Sequence, residues 1–187
     1  MKVKIRTLKT SLVGRTLSGT TGSERGHEVE NIMIRDGFPV DVHTRGPDIQ
    51  SIGVEIKNRN VDSSSPHSVG SMTIEYIIST NYKDTYIAQK LQRQLRVKVR
   101  DNVVQSADVY DFSSKTIQDL IEESYEAGRQ MIIDGDRRNY ISGGKFGYFE
   151  QKTGSVNSYS FRLSNYAMNT IERISTSTYD KFFQETQ

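Results

Sequence analysis

Apolar and polar residues alternate most clearly in two short stretches, V-E-I-K-N-R at 54–59 and L-R-V-K-V at 95–99. A period of two is that of a strand, so Val54 and Ile56 share one side while Glu55 and Lys57 share the other. A turn at Gly46-Pro47, a short strand from Asp48 and a break near Gly53 lead into the first stretch, which therefore reads as a hairpin. Residues 1–8 alternate with Val3 and Ile5 inward, and the Ser/Thr/Gly-rich residues 11–22 read as a loop. A helix follows from a Ser23 cap to about Asp36, with Val29, Ile32 and Met33 on its apolar side and Gly37 as its stop. Beyond the hairpin, 61–71 read as an exposed polar loop and Met72–Ser79 as a strand. A helix is expected over 86–94, with Ile87 and Leu91 four apart, then strands at 95–99 and 103–112. Ser114 caps an amphipathic helix over 116–131 with Ile117, Leu120, Ile121 and Tyr125 in one stripe. A late hairpin of 148–149 and 159–163 precedes a helix over 165–174. Strands and helices alternate, yet some strands form hairpins. The expected class is α/β, a central mixed β-sheet flanked by helices, in one domain spanning 1–187.

The polar side of the first strand carries the clearest chemistry. Glu55 and Lys57 project together, and Asp48 on the opposite arm can swing alongside Glu55. Two carboxylates and an ammonium suit a hard divalent cation such as Mg²⁺, which takes one or two carboxylates and completes its shell with waters and substrate phosphate. A lysine there can orient the attacking water or offset charge on a phosphate. Solvated alternating charges would give the same letters, but Val54 and Ile56 anchor this strand in a core, where Glu and Lys need a reason to be.

Composition narrows the classes. The 187 residues contain no cysteine, which excludes disulfides and thiolate chemistry, and three scattered histidines without metal-ligand spacing. No stretch approaches a membrane span, and the first ten residues lack a signal peptide's apolar segment, so a reducing cytoplasm is expected. The net charge is only +2, but it is unevenly spread. Between Lys83 and Arg100 stand six basic residues, Lys90, Arg93 and Arg96 among them, against the single acid Asp84. Such a run fits a face for a polyanion, although a solvated helix face is the commoner origin of one.

Further candidates lie outside the hairpin. Glu30 on the first helix is a third carboxylate that could reach a cation directly or through water, and Glu28 competes with it. Lys90 opens the basic helix, and Arg93 and Arg96, three and six residues on, would meet phosphates. The loop Ser142-Gly143-Gly144-Lys145 could cradle a phosphate or enter a groove, but it lacks the spacing of a nucleotide-binding loop. Tyr148, Tyr159, Phe161 and Arg162 lie near it in sequence.

Pro47-Asp48-x6-Glu55-x-Lys57 has the spacing of the PD-(D/E)xK nucleases, and the order of features from Gly22 onward resembles one branch of them. That branch comprises the strand-nicking mismatch-repair endonucleases of the MutH type and the GATC-cutting type II restriction enzymes. Gly26-x3-Glu30, Val61-Asp62-Ser63 after the lysine, Gln89–Leu95, and Met131 through Phe149 carry the resemblance along with the hairpin. It implies a single PD-(D/E)xK endonuclease domain with a restriction-endonuclease-like core, encoded by a prokaryote or phage. Asp48 and Glu55 would ligate Mg²⁺, Lys57 would position the water, and Glu30 and Lys90 would complete the active-site region. Double-stranded DNA would be the partner, contacted by Arg93, Arg96, Lys145, Phe161 and Arg162, with a homodimer where both strands are cut. A type II restriction enzyme is the first expectation and a nicking repair enzyme or Holliday junction resolvase the second. A catalytically inert DNA-binding module is the rival from another class. The chain departs from the family at Gly22, where a lysine is expected, at Gly144–Lys145, where an arginine reads bases, and at Phe161, which stands for a tyrosine.

Overall fold

The computed structural model describes residues 12–43, 45–63 and 67–171. The strand expected over 1–8 lies outside them. In chain order the elements are α1 (Gly22–Arg35), β1 (Val54–Asn60), β2 (His67–Thr73), α2 (Ile74–Ser79), α3 (Tyr86–Lys90), β3 (Arg93–Arg100), β4 (Val103–Asp111), α4 (Lys115–Ile133), β5 (Tyr140–Ile141), β6 (Gly147–Gln151), β7 (Ser158–Leu163) and α5 (Asn165–Thr170). This is an α/β chain with one mixed sheet and one antiparallel sheet. Its contacts divide it into two compact units, the first holding described residues up to 63 together with 93–111, the second holding 67–92 and 112–171.

In the first unit β3 is the middle strand, parallel to β1 and antiparallel to β4. The β3–β4 turn is closed by Asp101 and Asn102 at φ 50° and 60°, the left-handed pair that matches the twist of a two-residue hairpin. Helix α1 opens on a capping box two residues before Ser23: Thr21 accepts the Glu24 N–H while the Glu24 carboxylate reaches back to the Thr21 N–H. It ends where Gly37, at φ 96°, lets the Phe38 N–H return to the Met33 carbonyl at 3.0 Å. Its buried Val29, Ile32 and Met33 join Val54, Ile56, Leu95, Val97 and Val109 in one aliphatic core. Each edge of this sheet is partly covered by neighbouring chain. The Gly14 and Leu17 N–H groups bond to carbonyls at and beside β4, and the Asp48 carboxylate sits on the edge of β1.

The second unit is built on the antiparallel order β2-β7-β6-β5. Tyr125 of α4 packs against Phe149 and Phe161 at ring centroid distances of 5.0 and 5.2 Å, so this interior is aromatic. Ser114 caps α4 as expected, and β6–β7 are the expected late hairpin. Three expectations fail here. Residues 67–71 belong to a strand and not a loop, and 74–79 are a helix and not a strand. The Thr73 hydroxyl accepts the Tyr76 N–H and starts that helix, overriding the strand preference of Ile and Tyr. The basic helix stops at Lys90, and β3 begins at Arg93, because R-Q-L-R-V-K-V-R extends the strand alternation upstream. Helix α5 ends at Thr170, within the expected 165–174.

Candidate active site

The turn into β1 is tighter than a two-stranded hairpin. Ile49 and Val54 exchange both backbone hydrogen bonds, a 3-10 turn spans Gln50–Ile52, and Gly53 takes φ 62° to close it. The incoming arm is therefore one bridging residue long, not a strand from Asp48. That closure sends Asp48 back along β1, where its Oδ2 accepts the Ile56 N–H at 2.6 Å. Asp48 is thus held to the peptide that follows Glu55. Glu55 is only 2% exposed, and its Oε1 receives the Lys57 ammonium at 2.5 Å. The Lys57 side chain is about one-third exposed, so this pair opens to solvent at the lysine.

The parallel register continues the polar side of β1 across the sheet. Glu55 is paired with Gln94 and then Tyr110, Lys57 with Arg96 and then Asp108, and Arg59 with Lys98 and then Ser106. Glu55, Gln94, Arg96 and Asp108 are all buried, Asp108 completely. Arg96 donates from Nη2 to Gln94 Oε1 at 2.8 Å and stacks over the Tyr110 ring, 4.8 Å from its centroid. Burial pulls the Arg96 guanidinium down to about 10; Tyr110 opposes the shift and the nearby Arg59 adds to it. Burial also lowers Arg59, which donates to the Ser63 carbonyl at 3.1 Å. Both remain cations at neutral pH.

The other expected site residues fare unevenly. The Glu28 carboxylate is taken by the Ser18 and Gly19 N–H groups at 2.7 and 3.1 Å, so it organises the loop before α1. Glu30 sits three residues from His27, whose Nδ1 lies 3.3 Å from its Oε2. Among the described residues no three His, Asp or Glu side chains form a metal-holding group, so Glu30 is not gathered with Asp48 and Glu55 as a third direct ligand. A Cβ on Gly26 would meet nothing within 4 Å, so close packing does not explain that glycine. Lys90 ends α3 in the second unit.

Four of the five expected DNA contacts need correction or narrowing. Arg93 and Arg96 lie on strand β3, not on a helix face. Arg93 is ion-paired to Asp111 at 3.2 Å and donates to the Ile52 carbonyl, which ties the turn before β1 to β3. Arg96 is 3% exposed and cannot serve as a surface phosphate contact. Phe161 is fully buried in the aromatic interior, and Arg162 is ion-paired with Glu150 on the neighbouring strand. Only Lys145 is exposed as expected, its Nζ 5.9 Å from the Tyr166 ring centroid. The glycines before it have a packing reason. A Cβ on Gly144 would come 2.5 Å from the Ser124 hydroxyl of α4, and one on Gly143 would strike Ala127 and Gly128. They bring the loop onto the helix.

Gln94, Asp108 and Tyr110 were not singled out from the sequence, although a signal existed. Once β3 is set parallel to β1, the alternation around Leu95 places Gln94 and Arg96 beside Glu55 and Lys57. No family model matches the chain, and comparison with curated proteins yields no significant match.

Proposed function

We propose that this chain is a Mg²⁺-dependent endonuclease hydrolysing phosphodiester bonds in double-stranded DNA, with a restriction-endonuclease-like core and a type II restriction role. The observation that carries the reading is the Asp48–Ile56 hydrogen bond. It holds one carboxylate to the strand whose next side chains are a buried carboxylate and an ammonium already in contact.

The donor set fits the ion. Two carboxylates are what Mg²⁺ takes from protein when waters and phosphate oxygens complete its octahedron. Bound there, Mg²⁺ supplies Lewis-acid polarisation of a phosphoryl oxygen and a more acidic water. Asp48 and Glu55 would hold it. Lys57 has a separate task, since its ammonium is kept beside Glu55 Oε1 and carries positive charge to where a scissile phosphate would gain negative charge. It also holds a proton at Nζ within reach of that centre. Burial of Glu55 excludes water from one side of the carboxylate and strengthens every charge interaction it makes. Glu30, through a water, Lys90, at a phosphate, and Lys145, at the DNA surface, complete the proposal. Two copies acting together would cut both strands.

The test is digestion of methylated and unmethylated plasmid with Mg²⁺, followed by sequencing of the ends, with Asp48→Ala in parallel. Discrete ends lost in Asp48→Ala support the reading. Conversion to nicked circles only would point to a strand-nicking enzyme, and cleavage confined to branched DNA to a junction resolvase. DNA binding with no cleavage in Mg²⁺ or Mn²⁺ would leave the inert binding module.

A further inference from the structure

Gln94 and Arg96 are buried beside the proposed metal carboxylate, and nothing in the reaction described above uses them. Gln94 is the register partner of Glu55 across the parallel β1–β3 pair. Side chains so paired stand on one face of strands about 4.8 Å apart. A glutamine amide has an accepting end and a donating end. Here the accepting end is committed, because Arg96 Nη2 donates to Gln94 Oε1 at 2.8 Å. Fixing that oxygen fixes the amide, so Nε2 is the end left to donate. Arg96 cannot readily turn away, since its guanidinium lies over the Tyr110 ring and Tyr110 is the register partner of Gln94 on β4. Three strands thus contribute one chain of orientation, from the Tyr110 ring through the Arg96 fork to the Gln94 amide, which stands beside Glu55 in the register.

We propose that Gln94, oriented by Arg96 and Tyr110, is a positioning residue that aims the Glu55 carboxylate at the catalytic cation. The proposal rests on the nuclease reading above and adds to it the means by which a carboxylate already gripped by Lys57 keeps one geometry. Partners in the shell behind metal ligands act in this way, and their loss typically weakens metal binding about 10- to 100-fold. A merely structural Gln94 would alter stability and leave the metal affinity of the folded protein unchanged.

The test measures metal binding directly. Wild type, Asp48→Ala, Gln94→Met and Arg96→Lys are titrated with Mn²⁺ by calorimetry without DNA, and their thermal unfolding is followed in metal-free buffer. Gln94→Met keeps length and volume and loses the donor, and Arg96→Lys keeps the charge and loses the fork. We expect Gln94→Met to weaken Mn²⁺ binding about tenfold or more, with Arg96→Lys intermediate. Tm should stay within about 4 °C of wild type. The Mg²⁺ concentration that half-saturates cleavage should rise by the same factor. Mn²⁺ dissociation constants within about twofold of wild type in both variants would overturn the proposal. So would a loss of affinity that merely follows a loss of folded protein. If Gln94→Met does not fold, Arg96→Lys decides alone. Wild type binding no more Mn²⁺ than Asp48→Ala would overturn the metal-site reading and this inference together; normal wild-type binding with unaffected variants would overturn this inference only.

Discussion

In the four-stranded sheet the alternate positions of β6 and β7 bury Phe149, Tyr159, Phe161 and Leu163, with Phe149 and Phe161 packed on Tyr125 of α4. In the three-stranded sheet one side buries aliphatic residues, while the other buries Glu55, Gln94, Arg96 and Asp108. Both sheets follow the same alternation, but they spend burial on opposite chemistry. Aromatic packing returns stability through area removed from water and ring geometry. Buried charges return little, because loss of hydration offsets their mutual attraction, and apolar replacements of similar volume are often as stable. A sheet face that keeps four polar side chains buried is therefore better explained by what it does than by what it holds together.

The sharpest way to break that contrast is Asp48→Ala. It should lower cleavage in Mg²⁺ about 10³-fold or more, as loss of a metal ligand does, while DNA binding in Ca²⁺ persists. Retained cleavage would mean that the polar face is not a metal centre. On the other sheet, Phe161→Ala should cost about 3–5 kcal/mol of stability, measured by urea unfolding, through the cavity it leaves. The variant molecules that remain folded should bind DNA like wild type, since a fully buried ring touches no partner. A selective loss of DNA affinity at unchanged stability would restore Phe161 as a contact.

Lys57→Met should have a smaller effect, about 1–3 kcal/mol, because the lysine is partly exposed and only the Glu55 carboxylate is deeply buried. Its signature is distinctive. A divalent cation binding the folded state should raise Tm more in this variant than in wild type, since it replaces the missing positive charge at Glu55. Equal metal stabilisation in the two proteins would remove Glu55 from the ligand set.

The smallest effect concerns the helix that covers the aliphatic side. Thr21→Ala should cost about 1 kcal/mol by removing the α1 cap. The cap is also pH-sensitive. The Glu24 carboxyl is held down to about 2, first by the Thr21 N–H and then by Thr20. A carboxyl depressed on folding adds stability above its ordinary value of 4.5, and that contribution is lost as pH falls from there toward 2. Wild type should therefore lose more stability than Glu24→Gln over that window in acid unfolding, without any change at neutral pH in the metal dependence of cleavage.

The sequence by itself determined the elements whose signals are local. The periods of α1 and α4, the strand alternation at 54–59 and 95–99, and the Ser114 cap depend only on residues a few positions apart. So does the side of β1 on which Glu55 and Lys57 stand together. Local signals failed where two periods fit the same letters, as in L-Q-R-Q, or where one cap reversed a strand preference, as at Thr73. Tertiary structure alone decided the rest. The fate of Arg96 and Phe161 turned on burial, a property of what packs against a residue and not of its neighbours in sequence. The row Glu55–Gln94–Tyr110 exists because a parallel partner and its antiparallel neighbour fell into one register, joining residues about 40 and then 16 positions apart. A one-residue slip in either pairing would have turned Gln94 or Tyr110 to the aliphatic side, and no local pattern forbids that slip. What forbids it is the buried core on the far side, which accepts Leu95, Val97 and Val109 and has no place for the arginine between them.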